Sequence, residues 1–323
     1  MKVAFQVPEY IMSIKRSSII FIICICLYSF SGCGSKHITL KEIDLLKVDS
    51  LIKVQKINDR AIIVNFGYDA VTAIKTELGI VLIDAGISTI LTSRYRKDIE
   101  NEFRQDNYIY VINTHCHHDH IRGNSVFSQA KVIGHENCQE EVSEQWRNPE
   151  KLLTSFSKTA EDYDLMLMKS VPNTDEWNNF FTQKIRYMCA YCDLKNHISF
   201  KLPDITFADS MKLELGDITF EMIYSGEFHS NSDILIYVPE IQVIFTGDLF
   251  SKYGRPSISG SSIPDAEKLI RATRWIEKRM SNIEKVIEGH GQILSKDDLR
   301  QFTDNISNRY SGKQINKQGA GKY

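Results

Sequence analysis

The feature that most constrains this chain is His115-Cys116-His117-His118-Asp119-His120, placed directly after the apolar run Tyr108-Ile109-Tyr110-Val111-Ile112. The run reads as a buried strand, so the motif sits at its mouth. On extended backbone, residues i and i+2 share a face, which puts the imidazoles of His115 and His117 together and sends Cys116 and His118 to the other side. That suits one divalent ion. The chain must then turn, so Asp119 and His120 can reach a second ion beside the first. Nitrogen and carboxylate donors in this mix favour zinc, with iron or manganese as substitutes.

The same device recurs. Asp84 ends Ile80-Val81-Leu82-Ile83, His229 lies in Ser225-Gly226-Glu227-Phe228-His229-Ser230, Asp248 ends Val243-Ile244-Phe245-Thr246-Gly247, and His290 ends Val286-Ile287-Glu288-Gly289. Each is a short, mostly apolar stretch that delivers one polar residue and then breaks. Strand ends meeting at one edge of a sheet are where such residues converge.

The ordered set Asp84; His115, His117, Asp119 and His120; His229; Asp248; His290 resembles the five motifs of the metallo-β-lactamase superfamily, over roughly residues 55 to 300. The resemblance implies an α/β fold, a four-layer αββα sandwich. It implies that His115, His117 and His229 hold one zinc, that Asp119, His120 and His290 hold the other, and that Asp248 bridges them. Asp84 is similar to the family aspartate that orients ligands without binding metal. Two such ions can share a solvent oxygen and lower its pKa to about 7, giving a hydroxide nucleophile without serine or cysteine. Asp119 and Asp248 are therefore the expected catalytic carboxylates.

The 323 residues are 42% hydrophobic and 25% charged, a globular composition with length for a large core. A net charge of -2 argues against a nucleic-acid surface. The N-terminus reads as an export signal. Lys15 and Arg16 precede Ile19-Ile20-Phe21-Ile22-Ile23-Cys24-Ile25-Cys26-Leu27-Tyr28, too short to span a bilayer comfortably. It ends in Phe30-Ser31-Gly32-Cys33, which resembles a bacterial lipoprotein cleavage box with Cys33 as the lipidated residue. Ordinary cleavage and an uncleaved anchor are the alternatives, and Met12 is an alternative start. The expectation is a protein of the cell envelope, membrane-tethered and facing the periplasm. Export permits disulfides. Cys189 and Cys192 are expected to be free and packed, since a bond between them within a regular helix would be strained.

The chain divides into a signal peptide over 1–32, a tether over 33–54, the catalytic domain over 55–308 and a disordered tail over 309–323. Within the domain, 61–66 and 70–74 read as a hairpin around Gly67-Tyr68-Asp69, 89–104 as an outer helix, and Gly123-Asn124 as the start of another helix. Residues 218–224, 234–238 and 243–248 read as strands, 264–280 as a helix with Pro264 at its start, 285–288 as a strand, and 295–307 as a last helix. Residues 138–203 read as a helical insertion, a pair of helices. It is expected to cap the sandwich through Trp177, Phe181, Ile185, Met188 and Cys192, or to act as a lid whose aromatic residues (Trp177, Phe180, Phe181, Tyr187, Tyr191) line the substrate mouth. His118 is expected exposed or behind the ligands, Asp233 as a partner for His229, and His37 and His135 at the surface. Tyr253 and Arg255 can contact a substrate anion.

The leading reading is an exported dizinc hydrolase that attacks an ester, thioester, lactone or related bond of a small molecule. A β-lactamase is an alternative, although the main zinc β-lactamase subclasses carry cysteine or serine where this chain has Asp248. A mono-iron, persulfide-dioxygenase-like oxidoreductase and a tethered binding protein on a retired site are the others.

Overall fold

The computed structural model describes residues 43–250 and 266–310. Cys33, His37, Tyr253, Arg255, Pro264 and the tail beyond residue 310 lie outside the described residues.

Among the described residues thirteen strands form two sheets. The first runs β1 (Lys53–Lys56), β2 (Ala61–Phe66), β3 (Asp69–Lys75), β4 (Ile80–Ile83), β5 (Tyr108–Ile112), β6 (Lys131–His135) and β7 (Ile205–Phe207), in sequence order across the sheet. Strands β1 to β4 are antiparallel; β4 to β7 are parallel. The second sheet contains β8 (Ser210–Glu214), β9 (Thr219–Tyr224), β10 (Ile234–Val238), β11 (Val243–Gly247), β12 (Lys285–Glu288) and β13 (Ile293–Leu294), in the order β13-β12-β11-β10-β9-β8. Only β11 and β12 are parallel there. The uninterrupted apolar stretch of β4 is buried throughout, as a strand covered on both faces must be.

The helices are α1 (Leu45–Leu51), α2 (Thr89–Phe103), α3 (His118–Ile121), α4 (Cys138–Gln145), α5 (Pro149–Leu167), α6 (Asp175–Lys195), α7 (Ala266–Glu277) and α8 (Lys296–Tyr310). Three apolar cores separate four layers. Between the sheets, Ile63, Ile74, Val81 and Ile112 meet Phe220, Ile236, Phe245 and Ile287. Outside the first sheet, Leu91, Tyr95, Ile99 and Phe103 of α2 form one stripe of a helix and join α6 against Val64, Ala73 and Leu82. Outside the second, Leu269, Ala272 and Ile276 of α7 and Leu299, Phe302 and Ile306 of α8 cover Leu235, Ile244 and Val286. This is the αββα sandwich.

Four expectations are corrected. The second half of the expected tether is α1, capped by Asp44, whose side chain accepts from Lys47 N–H, and seated by the buried Val48. The helix expected from Gly123 begins earlier, at His118, and continues as a 3-10 turn over Arg122–Phe127. Asn124 does not cap it: its Oδ1 accepts from Asn113 Nδ2 at 3.1 Å, and its amide donates to Asn113 Oδ1 at 2.8 Å and to Lys201 O at 2.9 Å. The insertion holds three helices, α4 to α6, rather than a pair. His135 is buried, because β6 lies inside the parallel half of its sheet; its ring stacks on Tyr224 at 3.7 Å and Nε2 meets Ala208 O at 2.9 Å.

Within the insertion, Ile185, Met188 and Cys192 bury as the stripe requires. The aromatic residues mostly pair with one another: Trp177 stacks on Phe181 at 5.2 Å, and Tyr163 lies 6.3 Å from both Phe180 and Tyr187. Gly67, at φ 61°, lets the β2–β3 hairpin approach α6, since a Cβ there would lie 2.2 Å from Thr182 Oγ1. Among the described residues no helix is long and apolar enough to cross a membrane.

Cys189 and Cys192 are buried. Cys116 and Cys138 form a disulfide that joins the end of the β5 loop to the first residue of α4 across a separation of 22 residues. Closing a loop of that size is worth about 3 kcal/mol by the chain-entropy estimate. Replacing both residues by serine should lower the unfolding free energy by about 2–4 kcal/mol in urea titrations. A loss below about 0.5 kcal/mol would show that the bridge closes nothing the fold does not already hold.

Candidate metal centre

Parallel pairing places the functional residues. Strands β4 and β5 are parallel neighbours, so Asp84 and the segment from Thr114 leave the first sheet at the same edge. Strands β11 and β12 are parallel neighbours, so Asp248 and His290 leave the second sheet together. His229 comes from the loop between β9 and β10. Asp84 takes a left-handed φ of 59°, a conformation that a non-glycine residue keeps only when its surroundings hold it there. They do: its Oδ1 accepts from Thr114 N–H at 2.7 Å, its Oδ2 from Thr114 Oγ1 at 2.8 Å, and its own N–H donates to Ile112 O at 3.0 Å.

Seven side chains converge in three overlapping groups: His115, His117 and His229; His115, His120 and Asp248; Asp119, His120 and His290. In each group the donor atoms lie within 4.8 Å of one another. His117 Nδ1 is 2.9 Å from His229 Nε2. Asp248 Oδ2 lies 3.1 Å from His290 Nε2, 3.4 Å from His229 Nε2 and 3.6 Å from His120 Nε2, so one carboxylate oxygen touches three imidazoles. Asp119 Oδ1 is 3.9 Å from His120 Nε2. A Cβ at Gly289 would sit 2.1 Å from Asp248 Oδ1, so only glycine leaves room for that carboxylate.

The outward nitrogens are held from behind. His120 Nδ1 is 2.9 Å from Asp84 Oδ2, and His290 Nδ1 is 2.8 Å from Tyr68 O, whose ring stacks on His290 at 3.9 Å. His115 Nδ1 is 3.1 Å from Thr114 Oγ1. A carbonyl or carboxylate behind an imidazole fixes the proton on that side and turns the other lone pair inward. The donor set therefore fits a cation. His115 Nε2, His120 Nε2 and Asp248 Oδ1 are buried without a hydrogen-bond partner among the described residues, which is costly unless something electropositive faces them.

The residues outside this cluster have other roles. Asp233 accepts from the backbone N–H groups of His229 at 2.7 Å and Ser230 at 2.9 Å, so it shapes the loop and does not meet the ring. His118 opens α3, and its ring lies 5.2 Å from Phe156. Three neighbours were not singled out from the sequence: Tyr68, Glu141, whose Oε1 is 3.6 Å from His117 Nε2, and Arg186, whose Nη2 is 3.4 Å from Asp119 Oδ2. Tyr68 was visible only as a hairpin residue. Glu141 and Arg186 carried no local signal, since their partners are distant in sequence.

The comparisons with known proteins agree with the geometry. The model of the metallo-beta-lactamase superfamily matches residues 65–290, most of the described chain. The chain belongs to this superfamily. Among curated relatives, a metallo-beta-lactamase type 2 of Bacteroides fragilis is 23% identical over 118 residues, 36% of this chain and 47% of that protein. Another of Bacillus cereus is 21% identical over 220 residues, 68% of this chain and 66% of that one. The chain thus spans about half to two thirds of the length of these relatives. Among solved structures, the stereoselective inverting sec-alkylsulfatase Pisa1 from Pseudomonas sp. aligns with TM-score 0.56 at 16% identity, over 80% of this chain and 42% of that one. It shares the fold.

The superfamily site has two electrostatic halves here. Burial, reinforced by His229, pushes His117 down to about 4, and burial also lowers His115 and His229. Burial likewise opposes charge on His120 and His290, but there the carboxylates win: Asp248, Asp84 and Asp119 raise His120, and Asp248 raises His290. A ligating imidazole must be neutral. A cation at His115, His117 and His229 thus meets rings that give up protons readily, whereas one at Asp119, His120 and His290 competes with protons held more tightly. Zinc titration in weak buffer should release clearly more protons in one of two steps, and that step should weaken more steeply from pH 8 to pH 6. Equal proton release in both steps would contradict this division.

Proposed function

We propose that this chain is an exported, zinc-dependent hydrolase acting on an ester, thioester, lactone or related bond of a small molecule. The observation that carries the reading is Asp248, whose single oxygen reaches His120, His229 and His290 and so joins the two ligand groups. His115, His117 and His229 would hold one zinc, Asp119, His120 and His290 the other, with Asp248 between them. Bound zinc would supply a hydroxide at neutral pH and a Lewis acid for the substrate oxygen. The chain's own residues do the rest. Asp84 and Tyr68 O keep the outward protons on His120 and His290. Asp119 and Asp248 present carboxylates that can orient the attacking water and take up its proton.

Export is supported by the apolar run ending in Phe30-Ser31-Gly32-Cys33 and by the Cys116–Cys138 bridge, since such bonds persist in oxidising compartments. In this reading Cys33 carries a lipid that tethers the domain to the membrane, and the domain faces the periplasm.

A β-lactamase is the second reading, favoured by the names of the two curated relatives. The aspartate at position 248 favours the broader hydrolase.

The test is metal content together with a panel of ester, thioester, lactone, sec-alkyl sulfate and β-lactam substrates, on the wild type and on His117→Ala and Asp248→Ala. The expected outcome is two zinc ions per chain in the wild type. Each variant should lose zinc, and hydrolysis should fall by about a hundredfold or more while the circular dichroism of the fold is kept. Wild-type rates in both variants would reject the site, and one iron per chain would replace the hydrolase by an oxidoreductase.

A further inference from the structure

The helical insertion reaches the centre with two buried charged side chains, one from each of two helices. Glu141, on α4, is 7% exposed. Its Oε1 lies 3.6 Å from His117 Nε2, while His117 Nδ1 points the other way, 2.9 Å from His229 Nε2. The carboxylate therefore stands behind the ring at ion-pair distance, where its charge favours a proton on Nε2 and leaves Nδ1 to face inward. Its place is held from two sides. Oε2 accepts from Ser232 Oγ, which itself accepts from Cys116 N–H at 3.0 Å. The Cys116–Cys138 bridge pins α4 one turn before Glu141, to the residue between His115 and His117.

Arg186, on α6, is 2% exposed. Its Nη2 lies 3.4 Å from Asp119 Oδ2, its Nη1 donates to Gln183 Oε1 at 2.7 Å, and its Nε is 4.0 Å from Asp69 Oδ1. Asp69 is fixed in turn, accepting from Tyr95 Oη at 2.7 Å and Ile87 N–H at 3.0 Å. The guanidinium occupies Oδ2 of Asp119 and leaves Oδ1, the oxygen 3.9 Å from His120 Nε2, free to face the centre. The planar guanidinium spans Gln183 and Asp119 through its two terminal nitrogens, which fixes where Nη2 points, while Asp69 adds charge attraction at 4.0 Å, beyond hydrogen-bond reach.

We infer that the insertion is a scaffold for the metal centre: Glu141 and Arg186 are positioning residues, Glu141 for the His115, His117 and His229 group and Arg186 for the Asp119, His120 and His290 group. The inference rests on the metal reading above and adds a division of labour to it. Neither residue belongs to the ligand groups, and each meets a ligand side chain, through which it acts.

The experiment is a two-step zinc titration of the full chain against a chromophoric chelator, for the wild type, Glu141→Gln, Arg186→Gln and Arg186→Lys. Removing a partner behind a ligand weakens metal binding about 10–100-fold. Glu141→Gln should weaken one zinc step by about tenfold and leave the other unchanged. Arg186→Gln should weaken the opposite step by a similar factor, and Arg186→Lys, which keeps the charge but loses the fork, should fall between it and the wild type. A merely structural role would lower both steps together, in line with lost thermal stability, and that outcome overturns the inference. So does binding within about twofold of wild type at both steps in every folded variant. If Arg186→Gln does not fold, Arg186→Lys alone decides its half. A wild type that takes up no zinc fails at an earlier point, in the metal reading itself.

Discussion

Five imidazoles and two carboxylates are packed so closely that the donor atoms of each ligand group lie within 4.8 Å of one another. His117 and His229 bring ring nitrogens to 2.9 Å, and His290 brings Nε2 to 3.1 Å from Asp248 while its Nδ1 faces a carbonyl. The carboxylates can draw protons to His120 and His290, but burial drives His115, His117 and His229 neutral, and polar atoms crowded away from water are costly without a cation to face them. The structure around them consists of devices that hold this unfavourable arrangement in place.

The largest device is the pair of sheets. Parallel pairing of β4 with β5 and of β11 with β12 is the part of each sheet that sends two consecutive strand ends to one edge. The three apolar cores make that edge rigid, because the strands between them are buried on both faces. On this frame sit local constraints: the left-handed Asp84, the Cβ-free Gly289 beside Asp248, and the disulfide that closes the ligand loop. Polar partners behind His115, His120 and His290 then choose which nitrogen faces inward.

Much of this was legible from local pattern. A buried apolar strand followed by a His-rich break is readable in a single window, and three more strand ends, before Asp84, Asp248 and His290, repeat it. The resemblance of the ordered set to the superfamily implied the four-layer sandwich, which no single strand could have indicated. Strands that carried no pattern were missed. Lys53-Val54-Gln55-Lys56 is exposed at every position, and Ser210–Glu214 alternates too weakly to stand out. His135 was misread because its burial depends on which strand lies beside it. The bridge between Cys116 and Cys138 follows from how the α4 start folds back, which spacing alone does not reveal. Glu141 and Arg186 were hidden for the same reason: His117 and Asp119, the side chains they meet, are brought to them only by tertiary packing.

The central claim is that Asp248 and its neighbours enclose two cations at bridging distance. Zinc-edge X-ray absorption on the zinc-loaded protein measures that directly. The account predicts a metal–metal scattering path at about 3.5–4 Å together with imidazole scattering and nitrogen or oxygen first neighbours. A spectrum with sulfur ligation, or with imidazole ligation and no metal–metal path at full loading, would contradict it.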